Sequence, residues 1–380
     1  ISLTNISKKI RLNSLANIIA ITGSCGKTSL KELLGKVFNK ISKASYSPKS
    51  YNNKYGVPLS LFNINKNDDF GIFEIGMDKK GEVDSLSKII KPDVGVITNI
   101  SYAHAKNFKN LEQIAKAKSE IINNINTNGS LVLNADDSFF KKHKKLGLNK
   151  NLKIYSFSLN KPDANVYIKK ITKLKNKFKI LININKQQKK FFVKSIFESN
   201  LKNMLAAITV ISIFRDIKKL NENIFYNFVN PKGRGDISKI KIKRKIIKFI
   251  DESYNANPLS MGSAIKNLNS FKRERNEKKL LLIGDMLELG AHTKKFHKDL
   301  SKEINRTDID KVFVYGKYVK DTYNYLASKK KGKVFHNLIE ARKCFEKILK
   351  DNDFLMIKGS NATGLNAFSK SIKKGQINAI

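Results

Sequence analysis

The stretch that most constrains this chain is Ile18–Leu34, IIAITGSCGKTSLKELL. An apolar run, Asn17–Thr22, enters a glycine turn, and the turn opens directly into a helical pattern. A strand, a tight loop and a helix in that order imply a parallel sheet, whose strands are buried on both faces and so lack polar alternation. Backbone N–H groups in such a loop, together with the helix N-terminus, form a phosphate cradle. The cradle spans Gly23, Ser24, Cys25, Gly26, Lys27, Thr28 and Ser29. Lys27 is placed to neutralise terminal phosphates, and the Thr28 hydroxyl to coordinate Mg²⁺. The common longer loop, G-x-x-x-x-G-K-[ST], carries a glycine where this chain has Ile21, so this is the shorter G-x-x-G-K-[ST] form. Cys25 reads as a small loop residue, since nothing near it in sequence would activate a thiolate.

The same signature of short, buried apolar runs recurs at Phe70–Gly76, Val94–Ile100 and Ser130–Asp136, with helical patterns at Leu30–Asn39 and Leu111–Ile125. From Asn151 to Ser195 short β-like runs rich in Lys, Asn and Ile suggest a small side sheet, and Asn200–Phe214 reads as a buried helix. A Pro and Gly cluster, NPKGRGD (Asn230–Asp236), marks a boundary. Beyond it a second series begins: KIIKFID, KLLLIGD, KVFVYG, GKVFHN and DFLMIKG, each separated from the next by a helical pattern. At 380 residues the chain is long enough for two domains. The expected fold is α/β: a P-loop NTPase-like central domain with a mostly parallel sheet plus the side sheet (17–230), then a Rossmann-like C-terminal α/β domain (231–380), with 1–16 as a connector.

A formal net charge of +42 would ordinarily suggest a polyanionic partner. Here the lysines are scattered through every segment, and neither an RNA-recognition aromatic signature nor zinc-finger spacing accompanies them, so no specific nucleic-acid partner is expected. KIKIKRKIIKFID (Lys239–Asp251) alternates polar and apolar residues and reads as an edge hairpin. No apolar run is long enough to cross a bilayer. The two cysteines, Cys25 and Cys344, stand far apart, which fits a reducing, cytoplasmic setting without disulfides.

Several residues bear on chemistry. Glu74 ends a strand at the edge where parallel sheets bind ligands, and could hold Mg²⁺ directly or through water; strand-end acids are common, so alone it says little. His104, in TNISYAHAKNF, follows another such strand; a lone loop histidine is more often simply hydrogen-bonded, but beside Lys27, Thr28 and Glu74 it becomes a credible second metal ligand. Pattern alone makes Lys118, in LEQIAKAKSEI, a solvated helix lysine. Asp251 and Asn255, in IDESYNANPLSM, suit ribose or base contacts; they and GDMLELG (Gly284–Gly290) could equally be helix caps and turns.

The order of these stretches resembles the Mur ligases, ATP-dependent amide ligases of peptidoglycan precursor synthesis. The resemblance runs from about Asn17 to the end. It rests on ITGSCGKTS, SYNNKYGVPLSL, FEIGMDKKGEVDSL, KPDVGVITNISYAHAKNF, AKAKSEI, VLNADD, GRGD, DESYNANPLSM, GDMLELG and LMIKGS. YNNKYGVPLSL, YNANP and GDMLELG point to the branch that adds D-Ala-D-Ala to a UDP-N-acetylmuramoyl-tripeptide. The resemblance implies that ATP phosphorylates the terminal carboxylate of the tripeptide and that the amine of D-Ala-D-Ala attacks the acyl phosphate. It implies that Gly23–Ser29 hold the ATP phosphates, that Thr28 and Glu74 organise one Mg²⁺, and that His104 helps to hold a second. It makes Lys118 a carbamylated lysine serving a Mg²⁺ site, against the pattern reading. It places Asn203, Arg234, Asp251, Tyr254, Asn255, Asn257 and Lys358 on the nucleotide side, in a monomer with no membrane partner.

Three positions depart from the family pattern. FESN (Phe197–Asn200) replaces Gly-x-His-Asn, Lys109 stands where glycine often follows AHxxxF, and Asn361 follows KGS where arginine is common. These bear on substrate contacts. The family also has an N-terminal domain for the uridine part of the substrate, for which the residues before Asn17 leave no room; a start at Ile1 suggests a partial sequence. Two alternatives remain open: another amide ligase on the same core (the tripeptide-forming Mur ligase, or a folylpolyglutamate synthase-like enzyme), and a non-catalytic nucleotide-binding remnant.

Overall fold

The computed structural model describes residues 3–379. The chain forms two compact units: one holds the residues up to Ser101 together with Asn107–Phe228, the other Tyr102–Lys106 together with the chain from Val229 onward.

The first unit is built on a nine-stranded sheet. Its strands are β1 (Asn17–Thr22), β2 (Ala44–Tyr46), β3 (Phe70–Glu74), β4 (Val94–Ile97), β5 (Ser130–Asn134), β6 (Lys153–Ser158), β7 (Val166–Lys173), β8 (Phe178–Ile184) and β9 (Gln187–Val193), in the order β2-β3-β1-β4-β5-β6-β7-β8-β9. Pairing is parallel from β2 to β7. All residues of β3, β4 and β5 are buried, as strands covered on both faces must be. Of the segment expected as a side sheet, Asn151–Ser195, β6 belongs to the main sheet, pairing in parallel with β5; β7 joins β6 through two residue pairs, Phe157↔Val166 and Ser158↔Tyr167, and β7–β9 continue the sheet as an antiparallel meander.

One core face of this sheet is closed by helices Lys27–Ile41 and Glu198–Phe214. From Met204 to Ile211 the second helix is buried at every position, so its sequence is apolar all round rather than amphipathic. Phe38 stacks on Phe70, ring centroids 4.0 Å apart, and seats the first helix on β3. The expected connector is helical over Leu3–Leu12. It is tied down by Arg11, whose guanidinium donates to the carbonyls of Ile90 (2.7 Å) and Lys91 (2.9 Å) at the end of helix Glu82–Ile90.

In the second unit, β10 (Asp236–Ile242), β11 (Lys245–Glu252), β12 (Lys279–Gly284), β13 (Lys311–Tyr315), β14 (Lys331–Phe335), β15 (Phe354–Lys358) and β16 (Gln376–Ala379) form a sheet ordered β14-β13-β12-β15-β11-β10-β16. The five strands from β14 to β11 are parallel, and separate apolar clusters cover the sheet's two faces. The β10–β11 hairpin forms, but not at the edge: β11 lies against β15, and β10 pairs with β16. Its apolar residues are buried on the sheet faces instead, Ile240, Ile247 and Phe249 in one cluster and Ile250 in the other. Among the described residues no helix is long and apolar enough to cross a membrane.

Candidate functional site

Register places the chemistry of the first unit. β1 lies between β3 and β4, with Ile21 opposite Glu74 and Thr22 opposite Ile97. The glycine loop leaving β1 is therefore flanked by Glu74 on one side and by Thr98–Ser101 on the other, at the carboxyl edge where parallel sheets bind ligands. The β4 side pins the loop. The Thr98 hydroxyl donates to the Cys25 carbonyl (2.7 Å), and the Asn99 side chain both accepts from Cys25 N–H (2.9 Å) and donates to its carbonyl (3.1 Å). Ser24 donates to the Ser101 carbonyl at 2.8 Å. Lys27 Nζ folds back on the Gly23 carbonyl at 2.7 Å.

Two glycines make this path possible. Gly23 has φ +141°, and a Cβ there would stand 2.0 Å from Thr98 Oγ1. At Gly26, φ is +85° and a Cβ would stand 2.8 Å from Asn203 Oδ1. Side chains at either position would be strained and would fill the cradle. Asn203, buried on helix Glu198–Phe214 and expected on the nucleotide side, is thus brought against the loop.

On the β3 side, Thr28 Oγ1 donates to Glu74 Oε2 at 2.7 Å, and Asn52 Nδ2 donates to Oε1 at 2.6 Å. Ser50 Oγ lies 3.3 Å from Thr28 Oγ1. Glu74 is 1% exposed, so its carboxylate is held by donors rather than by water. A hydroxyl and a carboxylate converging beside a phosphate cradle are hard oxygen ligands of the kind a Mg²⁺ ion takes, and the Asn52 amide orients the carboxylate. Lys118 is also 1% exposed, contrary to the solvated lysine that its sequence pattern suggests. Burial, and then the positive charge of Lys27, hold its amine well below the ordinary lysine range.

The remaining candidates lie in the second unit. His104, at φ +55°, sets Nδ1 2.6 Å from Glu288 Oε2, and the backbone N–H of Lys106 donates to the Glu288 carbonyl at 2.8 Å. The bond from His104 is the main cause holding the Glu288 carboxyl below its usual range. Asp251 is buried at the end of β11; it accepts from Ser253 Oγ at 2.5 Å and meets Lys373 Nζ at 2.8 Å. Lys373 also pairs with Asp236. Lys358 Nζ, at the end of β15, donates to the Asn255 carbonyl (3.0 Å) and lies 3.4 Å from Glu252, whose carboxyl is pushed up by burial. The Arg234 guanidinium lies 4.2 Å from the centre of the Tyr254 ring. Asn257 caps helix Pro258–Ser270 in a reciprocal capping box with Ser260.

Sequence reasoning missed Thr98, Asn99, Ser50, Asn52 and Lys373. Thr98 and Asn99 lie in the TNIS segment and Ser50 and Asn52 in SYNN, both within stretches that carry the family resemblance, but nothing in either marked these residues singly. Lys373 had none.

Comparison with known proteins adds identity to this geometry. Residues 21–211 match the Mur ligase middle domain, and residues 238–361 match the Mur ligase, glutamate ligase domain. A UDP-N-acetylmuramoyl-tripeptide--D-alanyl-D-alanine ligase of Rickettsia prowazekii is 33% identical over 94% of this chain and 78% of its own length. The protein of the same name from Buchnera aphidicola subsp. Baizongia pistaciae is 31% identical over 98% of this chain and 79% of its own. The crystal structure of MurF from Acinetobacter baumannii superposes with a TM-score of 0.86 at 25% identity, covering 98% of this chain and 80% of that one. MurF ligase from Thermotoga maritima, solved in complex with ADP, shares the fold at a TM-score of 0.84 and 24% identity, over 98% of this chain and 84% of that one. With both domain models matched and the relatives aligned along nearly its whole length, the chain belongs to the Mur ligase family.

Proposed function

We propose that this ligase is ATP-dependent and ADP-forming, and that it joins D-alanyl-D-alanine to a UDP-N-acetylmuramoyl-tripeptide in peptidoglycan precursor synthesis. In this reading the tripeptide's terminal carboxylate is activated as an acyl phosphate, and the dipeptide amine displaces phosphate to form the amide. The observation that carries it is the loop Gly23–Ser29, held open by two glycines, with Thr28 bonded to Glu74 at its mouth. The relatives' shared name supports the choice of substrates.

The residues present fit the groups that the reading requires. Gly23–Ser29 would take the ATP phosphates, Lys27 would neutralise them, and Asn203 would contact the nucleotide side. Thr28 and Glu74 would hold one Mg²⁺, His104 would help to hold a second, and a carbamylated Lys118 would serve a Mg²⁺ site. Bound Mg²⁺ supplies charge neutralisation for the transferring phosphoryl group. The chain's own part is positioning: Thr98 and Asn99 fix the loop backbone, and Asn52 fixes the Glu74 carboxylate. Carbamylation of Lys118 is part of the same reading: burial lowers the pKa of its amine, which favours the uncharged form that adds CO₂. In the second unit, Arg234, Asp251, Tyr254, Asn255, Asn257 and Lys358 would contact the nucleotide. The enzyme acts in the cytoplasm as a monomer, with residues 17–230 and 231–380 as its two catalytic domains and 1–16 as their lead-in.

The test is phosphate release from ATP with the UDP-linked tripeptide and each candidate amine. D-Ala-D-Ala is expected to support turnover; turnover with a free diamino acid and none with D-Ala-D-Ala would overturn the assignment.

A further inference from the structure

Lys31 lies one turn beyond Thr28 on the helix that follows the phosphate loop, and its side chain is completely buried. A buried lysine must find oxygen acceptors or lose its charge. Here Nζ donates to the Ser47 carbonyl (2.6 Å), the Lys49 carbonyl (2.7 Å) and Glu32 Oε1 (2.8 Å). Two of these acceptors are backbone atoms of the loop between β2 and helix Gly56–Leu61, a loop that turns through a left-handed Lys49 at φ +46°. The same loop carries Ser50 to within 3.3 Å of the Thr28 hydroxyl and Asn52 to 2.6 Å from Glu74.

Helix geometry explains the arrangement. Thr28, Lys31 and Gly35 stand at i, i+3 and i+7, and so share one face. Thr28 reaches Glu74, Lys31 holds the loop, and Gly35 leaves room for Tyr46, whose ring would lie 2.3 Å from a Cβ at that position. Two of the three Lys31 bonds go to the loop that supports the metal-ligand pair, and the third goes to Glu32 beside it on the helix.

We propose that Lys31 is a positioning residue of the ligase: by clamping the carbonyls of Ser47 and Lys49 it sets Asn52 on Glu74, and so fixes the Glu74 carboxylate for the Mg²⁺ that accompanies ATP. Replacing the ammonium with an apolar side chain of similar length leaves two carbonyls without their donor. The loop then relaxes, Asn52 withdraws, and Glu74 loses one of the two bonds that orient it. Losing such outer support typically weakens metal binding about 10–100-fold.

This inference rests on the proposed role of Glu74, and the experiment separates the two. Mg²⁺ half-saturation, KM for ATP and kcat are measured on the chain itself for wild type, Glu74→Gln, Lys31→Met and Asn52→Ala, with the melting temperature of each. If Glu74→Gln leaves the Mg²⁺ requirement unchanged, the site assignment itself fails. Given a Glu74 effect, Lys31→Met and Asn52→Ala are each expected to raise Mg²⁺ half-saturation about tenfold or more, with kcat largely recovered at saturating Mg²⁺. A double variant no worse than either single one would place them on one path. A Lys31→Met protein that melts earlier at unchanged Mg²⁺ half-saturation would overturn the proposal. Should Lys31→Met fail to fold, Asn52→Ala decides: wild-type Mg²⁺ dependence in that variant overturns the proposal too.

Discussion

The Thr28 hydroxyl donates to the Glu74 carboxylate across 2.7 Å, although 46 residues separate the two in the chain. Both side chains are buried, and each waits beside the loop that would present phosphate oxygens. Replacing Thr28 by valine keeps the volume and removes the donor. With Glu74 Oε2 left without its hydroxyl, stability should fall by about 1–3 kcal/mol in denaturant titration. Ligase activity should fall by about 10²–10³, the scale of losing one preorganised electrostatic partner. Thr28→Ser should retain most of both. Equal activity in the valine and serine variants would show that the hydroxyl does nothing in catalysis.

Gly26 and Asn203 approach so closely that a methyl group at position 26 would stand 2.8 Å from the Asn203 side-chain oxygen Oδ1, at φ +85°. Gly26→Ala should cost about 1–3 kcal/mol from the left-handed backbone alone. It should also weaken nucleotide binding measured by calorimetry. Shortening the neighbour in Gly26→Ala/Asn203→Ala removes the clash but not the strain, so the double variant should regain only part of the stability.

Lys118 gives a pH signature. Its folded pKa is depressed below the ordinary value of 10.5, chiefly by burial. Between those two values the unfolded chain binds a proton that the folded chain does not, so stability rises with pH across that window. The penalty is absent above the unfolded pKa and fully present below the folded one. Lys118→Met should therefore be more stable than wild type at neutral pH in bicarbonate-free buffer, by about 1.4 kcal/mol per pKa unit of depression. The advantage should shrink as pH climbs toward 10.5, and ligase activity should be lost throughout. An unfolding free energy with the same pH slope in both proteins would contradict the burial argument.

Arg11 anchors the first helix through the carbonyls of Ile90 and Lys91, and burial lowers its pKa. Arg11→Met keeps the stem packed and leaves those carbonyls without a charged donor, at a cost of about 1–3 kcal/mol. Because the anchor lies apart from the phosphate loop, kcat should stay at wild type while the denaturation midpoint falls. A drop in kcat at unchanged stability would mean that the first helix communicates with the site.

Much of this was legible in the chain. The strand–loop–helix at Asn17–Ile41, the two α/β series and the buried helix Glu198–Phe214 all announce themselves through local apolar runs and glycine placement. Such signals act over one or two turns of chain, which is the range a sequence pattern reports. Strand-end position marked Glu74 and His104, and the family motifs added Lys118, which pattern alone made a solvated lysine.

What only the tertiary structure decided is neighbourhood. β1 lies between β3 and β4, neither adjacent to it in the chain, and this order sets Glu74 on one side of the phosphate loop and Thr98 and Asn99 on the other. His104 and Glu288 meet across 184 residues, and Lys31 and Lys118 lose their solvent to surfaces supplied from elsewhere in the chain. A lysine on a helix reads the same whether its face is wet or covered. Burial, and with it the altered chemistry of an amine or the fixed aim of a carboxylate, belongs to the partner that covers it, and only folding brings that partner into place.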